Sequence, residues 1–187
     1  MKILRSVGYA LARRLYPPHW GLKFLGRRSV IMRPYRVEGR GYISIGNDTI
    51  ISAGGWLSVF PEHPGSIIGI EIGNHVRIGP GVMVTSINRV EIGSGTLFSR
   101  DVFVSDHTHS AEPNGVPPHR QRLRFKGDVK IGENCFIGIR AVIMPGVVLG
   151  NCCIVGANAV VTKSFPARSI LAGVPARLIG HNTWSGE

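Results

Sequence analysis

At 187 residues with 43% hydrophobic content, the chain can bury a core of its own within one domain, and no run approaches the roughly 18 apolar residues of a membrane-spanning helix. The formal net charge of +11 would suit a nucleic-acid binder if it were spread over a face, but residues 1–40 hold ten Lys or Arg against Glu38 alone, which leaves +2 for the rest of the chain. With the charge so confined, and with no motif that offers aromatic stacking platforms to bases, nucleic acid is excluded as the expected partner.

In chain order, residues 1–40 read as a basic extension. Leu4, Val7, Tyr9, Leu11, Leu15 and Trp20 interleave with Lys2, Arg5, Arg13, Arg14 and Lys23, a pattern that predicts an amphipathic helix ending before Pro17. Such a helix suits peripheral contact with an anionic cytoplasmic leaflet, and equally suits capping a first coil or packing on a neighbouring subunit. Arg13, Arg14 and the Pro17-Pro18 pair stand where a signal peptide would carry small residues for cleavage, so the expected compartment is the cytoplasm.

From residue 41 onward a period of six takes over. Fifteen units open on Ile45, Ile51, Leu57, Ile72, Ile78, Val84, Ile92, Phe98, Val104, Ile131, Ile137, Ile143, Leu149, Val155 and Val161. This period is neither helical nor that of an ordinary strand. In groups of three it describes a chain that turns three corners per coil and stacks its coils, one apolar residue per face pointing inward. The second position is Gly in eight units, as a crowded stack requires. The fourth is Gly, Asn, Asp or His in ten, the residue types that tolerate a left-handed backbone. Cys135 and Cys153, eighteen residues apart, share the small inward fifth position of adjacent coils and read as stacked buried thiols, with Cys152 on the corner beside them. No C-x-x-C spacing is present to suggest zinc.

Insertions in a repeat must leave the stack as surface loops, and function concentrates there. The shorter break lies between Leu57 and Ile72. The longer is an extruded loop over 107–129, which leaves the coil in the segment Asp106-His-Thr-His109 and carries Arg120, Arg122, Arg124 and Lys126. His107 stands where the chain departs from the coil. An imidazole with a pKa near 6.5 can take a proton from an alcohol at neutral pH, worth roughly 10² to 10⁴ in rate. The plainer possibility is a His accepted at a left-handed corner, as at His75.

The repeat, the Val104-Ser-Asp-His-Thr-His109 segment and the run from Ile154 to Arg177, with its Val160-Val-Thr-Lys163 and Ala172-Gly-Val-Pro-Ala-Arg177 signatures, resemble the hexapeptide-repeat acyltransferases. The likeness is to the polysaccharide O-acetyltransferase branch, related to galactoside and maltose acetyltransferases. It implies a left-handed parallel β-helix over 41–180, an all-β solenoid whose hand is an exception to the right-handed crossover rule, followed by a tail over 181–187. It further implies a homotrimer with the extruded loop reaching across an interface, acetyl-CoA as co-substrate, and His107 as the general base. The second nitrogen of His107 needs an orienting acceptor, either a carboxylate such as Asp106 or a backbone carbonyl. His109 is the competing base or a contact to the acceptor.

By the same resemblance Ile139, Ala157, Thr162, Lys163 and Arg177 line the coenzyme groove, the two cations suiting the phosphates of coenzyme A. Galactoside enzymes hold the acceptor through an acidic residue before the coil that precedes the catalytic His. The comparable stretch here is Ser86-Ile-Asn-Arg89, which has no carboxylate and leaves Asn88 to bond a hydroxyl. The expectation is direct acetyl transfer to a sugar hydroxyl of a surface polysaccharide or glycolipid precursor. Three rivals stand beside it. One is N-acetylation of an amino sugar or a small amine such as an antibiotic. Another is a non-catalytic scaffold. The last is a metal-dependent carbonic anhydrase built on His75, His107 and His109, disfavoured because Ile139-Arg140 occupies the place of that family's Gly-His; no metal is expected.

Overall fold

A computed structural model of the chain describes residues 21–61 and 68–183. The chain forms three parallel sheets and visits them in cyclic order, so that each turn adds one strand to each sheet. The first sheet runs through Phe24–Leu25, Ile43–Ile45, Gly69–Ile72, Arg89–Ile92, Val129–Ile131 and Val148–Leu149. The second holds Val30–Ile31, Ile50–Ile51, Arg77–Ile78, Leu97–Phe98, Phe136–Ile137 and Ile154–Val155, and closes on an antiparallel pair, Ser169–Gly173 with Ala176–His181. The third is made of Arg36–Glu38, Trp56–Val59, Met83–Ser86, Phe103–Ser105, Val142–Ile143 and Val160–Val161.

The fifteen openers stack in three registers. Ile45, Ile72, Ile92, Ile131 and Leu149 pair in sequence on the first sheet. Ile51, Ile78, Phe98, Ile137 and Val155 do so on the second, and Leu57, Val84, Val104, Ile143 and Val161 on the third. All fifteen are buried in one continuous core. Each such side chain, removed from water, contributes about 1.5 to 3 kcal/mol.

The remaining positions keep neighbouring coils at hydrogen-bonding distance. A Cβ on Gly93 would lie 2.5 Å from the carbonyl carbon of Gly132 in the next coil, so only glycine allows that approach. At the fifth position below the first sheet, the Thr49 hydroxyl donates to Gly73 and the Thr96 hydroxyl to Gly132 (2.8 and 2.9 Å). Cys135 continues that column with its thiol 3.3 Å from the Gly150 carbonyl, and Cys153 with its thiol 3.2 Å from that of Pro166. The cysteines are free and replace threonine in a ladder of donors between coils.

The stack begins earlier than the sequence reading placed it. Residues 21–40, assigned there to a helical extension, form a first coil of three strands whose Leu25, Ile31 and Val37 pair with Ile45, Ile51 and Leu57. The predicted amphipathic helix before Pro17 lies outside the described residues. Among the described residues no helix is long and apolar enough to cross a membrane.

Eleven of the fifteen fourth positions take positive φ, from Asp48 to Asn158. The four that do not are Phe60, Ile87, His107 and Ser164. All four follow a strand of the third sheet, and both insertions leave the stack at that corner.

Candidate active site

His107 does not occupy a left-handed corner, so the conformational explanation for a histidine at this position falls away. The chain instead continues extended into the strand His107–His109, which pairs antiparallel with Leu123–Phe125 to form a hairpin standing off the coil. Alternation along a strand puts His107 and His109 on one face of it. Both line a cleft of about 640 Å³. Its floor is the outer surface of the third sheet, where Trp56, Met83 and Phe103 are in register on successive coils, flanked by Thr85 and Ser105. His119, Gln121, Arg122 and Leu123 of the extruded loop wall it on one side, and Met144 and Pro145 of the coil above close another.

Asp106 is fully buried, and its Oδ1 lies 2.8 Å from His107 Nδ1. Its carboxylate is held from the other side by three consecutive backbone N–H groups of the coil below: Ile87 donates to Oδ1 (2.9 Å), and Asn88 and Arg89 to Oδ2 (both 2.8 Å). The Ser86 hydroxyl donates to Oδ2 as well, at 2.7 Å. Burial would push the Asp106 carboxyl up, but the hydrogen bonds from His107, Ile87, Ser86 and Asn88 outweigh it and hold the group below its ordinary 3.8. A charged, fully bonded carboxylate at this distance fixes the proton of a neutral imidazole on Nδ1 and leaves the lone pair on Nε2. His107 is 9% exposed, and Phe60 meets its ring edge-on with centroids 6.3 Å apart. Ser105 accepts from the His107 backbone N–H and donates back to its carbonyl, bracing the backbone beneath the ring.

The structure brings His107, Asp106 and His109 together and separates the other expected residues. Thr162 and Lys163 follow Val161 at the third-sheet corner, one coil above Met144 and Pro145 of the cleft. Lys163 places its ammonium 5.5 Å from the centre of the Phe165 ring. Ile139 and Ala157 stack at the opposite edge of that sheet, where the Asn158 N–H reaches the Ile139 carbonyl, and Arg177 lies beside them opposite Ala172 in the terminal hairpin. Asn88, expected at the acceptor, is not in the cleft lining. Its backbone serves Asp106, and its side-chain amide donates to Asp128 at 2.6 Å. His75 stands at a left-handed corner away from the cleft. Among the described residues no group of three His, Cys, Asp or Glu side chains gathers to hold a metal.

Sequence reasoning did not identify the cleft floor or the backbone cradle of Asp106. The floor had a signal: Trp56, Met83 and Phe103 each immediately precede a third-sheet opener, an outward position where a large apolar residue has no core to fill. The cradle had none, because main-chain donors carry no residue type.

A stack of coils, each built from three six-residue units, with a carboxylate-oriented histidine where a loop leaves it defines a hexapeptide-repeat transferase. Residues 128–163 match the family model of the bacterial transferase hexapeptide (six repeats), and residues 65–86 that of the hexapeptide repeat of succinyl-transferase. A relative from Escherichia coli (strain K12), named for O-acetyl transfer in lipopolysaccharide biosynthesis, is 32% identical over 158 residues, which span 80% of this chain and 77% of that protein. Among solved structures, a point mutant of the N-acyltransferase AntD from Bacillus cereus, in complex with dTDP-4-amino-4,6-dideoxyglucose and coenzyme A, superposes with a TM-score of 0.74. It has 23% identity, and the match covers 88% of this chain and 86% of that one. A hexapeptide-repeat acetyltransferase from Vibrio cholerae O1 biovar eltor, complexed with acetyl coenzyme A, has a TM-score of 0.57 and 24% identity over 95% of this chain and 78% of that one. The chain belongs to the hexapeptide-repeat acyltransferase family.

Proposed function

We propose that this chain moves acetyl from acetyl-CoA directly to a hydroxyl of a sugar in a surface polysaccharide or glycolipid precursor. The observation that carries the reading is the 2.8 Å contact between Asp106 Oδ1 and His107 Nδ1 at the base of the cleft. With Nδ1 committed, Nε2 is the basic atom. It takes the proton of the acceptor hydroxyl as that oxygen attacks the thioester carbonyl; the tetrahedral intermediate then collapses, expelling the coenzyme A thiolate, which takes the proton back from the imidazolium and leaves as the thiol. Buried Asp106 stabilises the imidazolium that forms. No covalent acyl-enzyme is needed.

A saccharide acceptor fits the floor. Trp56, Met83 and Phe103 offer a flat apolar surface for the C–H faces of a sugar ring, while Thr85, Gln121 and His109 offer polar groups at its rim. The relative named for O-acetyl transfer in lipopolysaccharide biosynthesis points to the same acceptor class.

The coenzyme would run along the third-sheet corner past Thr162 and Lys163. Ile139, Ala157 and Arg177 at the other edge of the sheet would meet it across a groove completed by a neighbouring subunit. In support of self-association, Leu97 and Phe136 stand exposed in register on the outer face of the second sheet. The reading also includes a homotrimer of left-handed β-helices, working in the cytoplasm, with the basic N-terminal residues at the inner face of the membrane.

The test is an acetyl-CoA consumption assay against matched hydroxyl and amine sugars. Transfer to the hydroxyl compounds supports the reading. Transfer confined to amines converts it to N-acetylation, and failure to bind acetyl-CoA at high micromolar concentration leaves the scaffold.

A further inference from the structure

Asn88 sits at the third-sheet corner one coil below His107 and touches chain segments from both insertions. Its carbonyl accepts from the N–H groups of Ile68 and Gly69, where the shorter insertion rejoins the stack, at 3.2 and 2.9 Å. Its backbone N–H donates to Asp106, where the longer loop departs, at 2.8 Å. Its side-chain amide donates to Asp128, where that loop returns, at 2.6 Å. The two feet of the long loop are joined to each other besides, through the Lys126 N–H and the Asp106 carbonyl at 3.1 Å.

We infer that Asn88 is a positioning residue for the Asp106–His107 pair, a tie that holds departure and return of the catalytic loop in one register, with Asp128 as its side-chain partner. The inference rests on His107 being the base. Only the Asn88–Asp128 bond is made by side chains, so it alone depends on residue type at both ends. Asp128 is not part of the core, and losing that bond leaves the core untouched. What it releases is the loop foot two residues from Lys126, whose N–H is bonded to the Asp106 carbonyl. Any slack there reaches the carboxylate that orients His107. A displacement near 1 Å at a reacting group costs up to about 10²-fold in rate. The chemistry asks for an amide donor facing a carboxylate, and Asn88 supplies it.

The test uses Asn88→Ala, Asp128→Ala at the other end of the bond, and the exchanged pair Asn88→Asp with Asp128→Asn, which restores an amide-to-carboxylate bond in the opposite direction. Two quantities are read on the full-length chain: the Nδ1–H proton resonance of His107 in isotope-labelled protein, and kcat and KM for acetyl transfer. Each single variant is expected to broaden or lose the resonance and to lower kcat on the order of tenfold with KM for acetyl-CoA unchanged, and the exchanged pair to recover both. An intact resonance in both single variants overturns the inference, and so does a defect confined to acceptor KM, which would return Asn88 to the acceptor site. If the wild-type chain acetylates no hydroxyl acceptor, the proposed function fails, while the resonance still decides the role of Asn88.

Discussion

The corners after the first two sheets and the corner after the third are built from the same repeat and do different work. At the first two, the fourth residue of each of the ten units from Ile45 onward turns through positive φ, and the chain goes directly to its next strand. At the third, four of five, Phe60, Ile87, His107 and Ser164, do not, Gly146 being the exception, and both insertions leave from there. The tight corners set the spacing of the coils. The open one, because its backbone is not consumed in a turn, frees N–H groups such as those of Ile87, Asn88 and Arg89 to hold a buried carboxylate. A regular stack supplies the rigid frame, and the one edge where regularity lapses supplies the chemistry.

That contrast breaks first at the open corner. Asp106→Asn would keep the side chain's size but turn an amide NH2 on the donors that hold the carboxylate or on His107, and kcat should fall on the order of 10³ to 10⁴ as the imidazole loses its oriented tautomer. The same variant should show a linked effect on stability. The folded carboxyl of the wild type lies below its ordinary 3.8, so its contribution is present above that pH. As pH drops further, the unfolded chain takes up the proton first, and the advantage over Asp106→Asn should shrink until it is lost below the folded value. Denaturant melts between neutral pH and the acid limit check the sign.

At the closed part of the stack, Phe98→Ala would empty a fully buried position and cost about 3 to 5 kcal/mol by urea denaturation, with the Asp106–His107 contact intact in whatever fraction stays folded. A smaller effect separates the two kinds of corner directly. Asn134→Val puts a β-branched residue at φ 53 and should cost about 1 to 2 kcal/mol. Ile87→Val, at a corner without positive φ, should cost only about 0.5 to 1.5 kcal/mol.

Most of the frame was legible in the sequence, because one buried aliphatic every sixth residue is a property of residue type alone. The first coil was legible too. Leu25, Ile31 and Val37 keep the same spacing and Gly26 the same small second position, but Met32 and Glu38 break the small-residue pattern, and the basic residues over 1–40 set this stretch with the N-terminal extension. His107 could be found because it stands where the period fails. Asp106 was harder: neighbours in a strand point apart, and these two meet because the chain bends out of the coil between them. Asn88 drew an acceptor role from its side chain, whereas its backbone contacts depend on which coil lies beneath which loop. Trp56, Met83 and Phe103 form a floor only once three coils are stacked.

The central claim, that an Asp106-oriented His107 removes the acceptor proton, is tested most directly by His107→Ala in a transfer assay paired with calorimetry of acetyl-CoA binding. A fall in kcat of roughly 10² to 10⁴ with coenzyme affinity unchanged is the predicted result. Turnover at the wild-type rate would contradict it and move the base to His109.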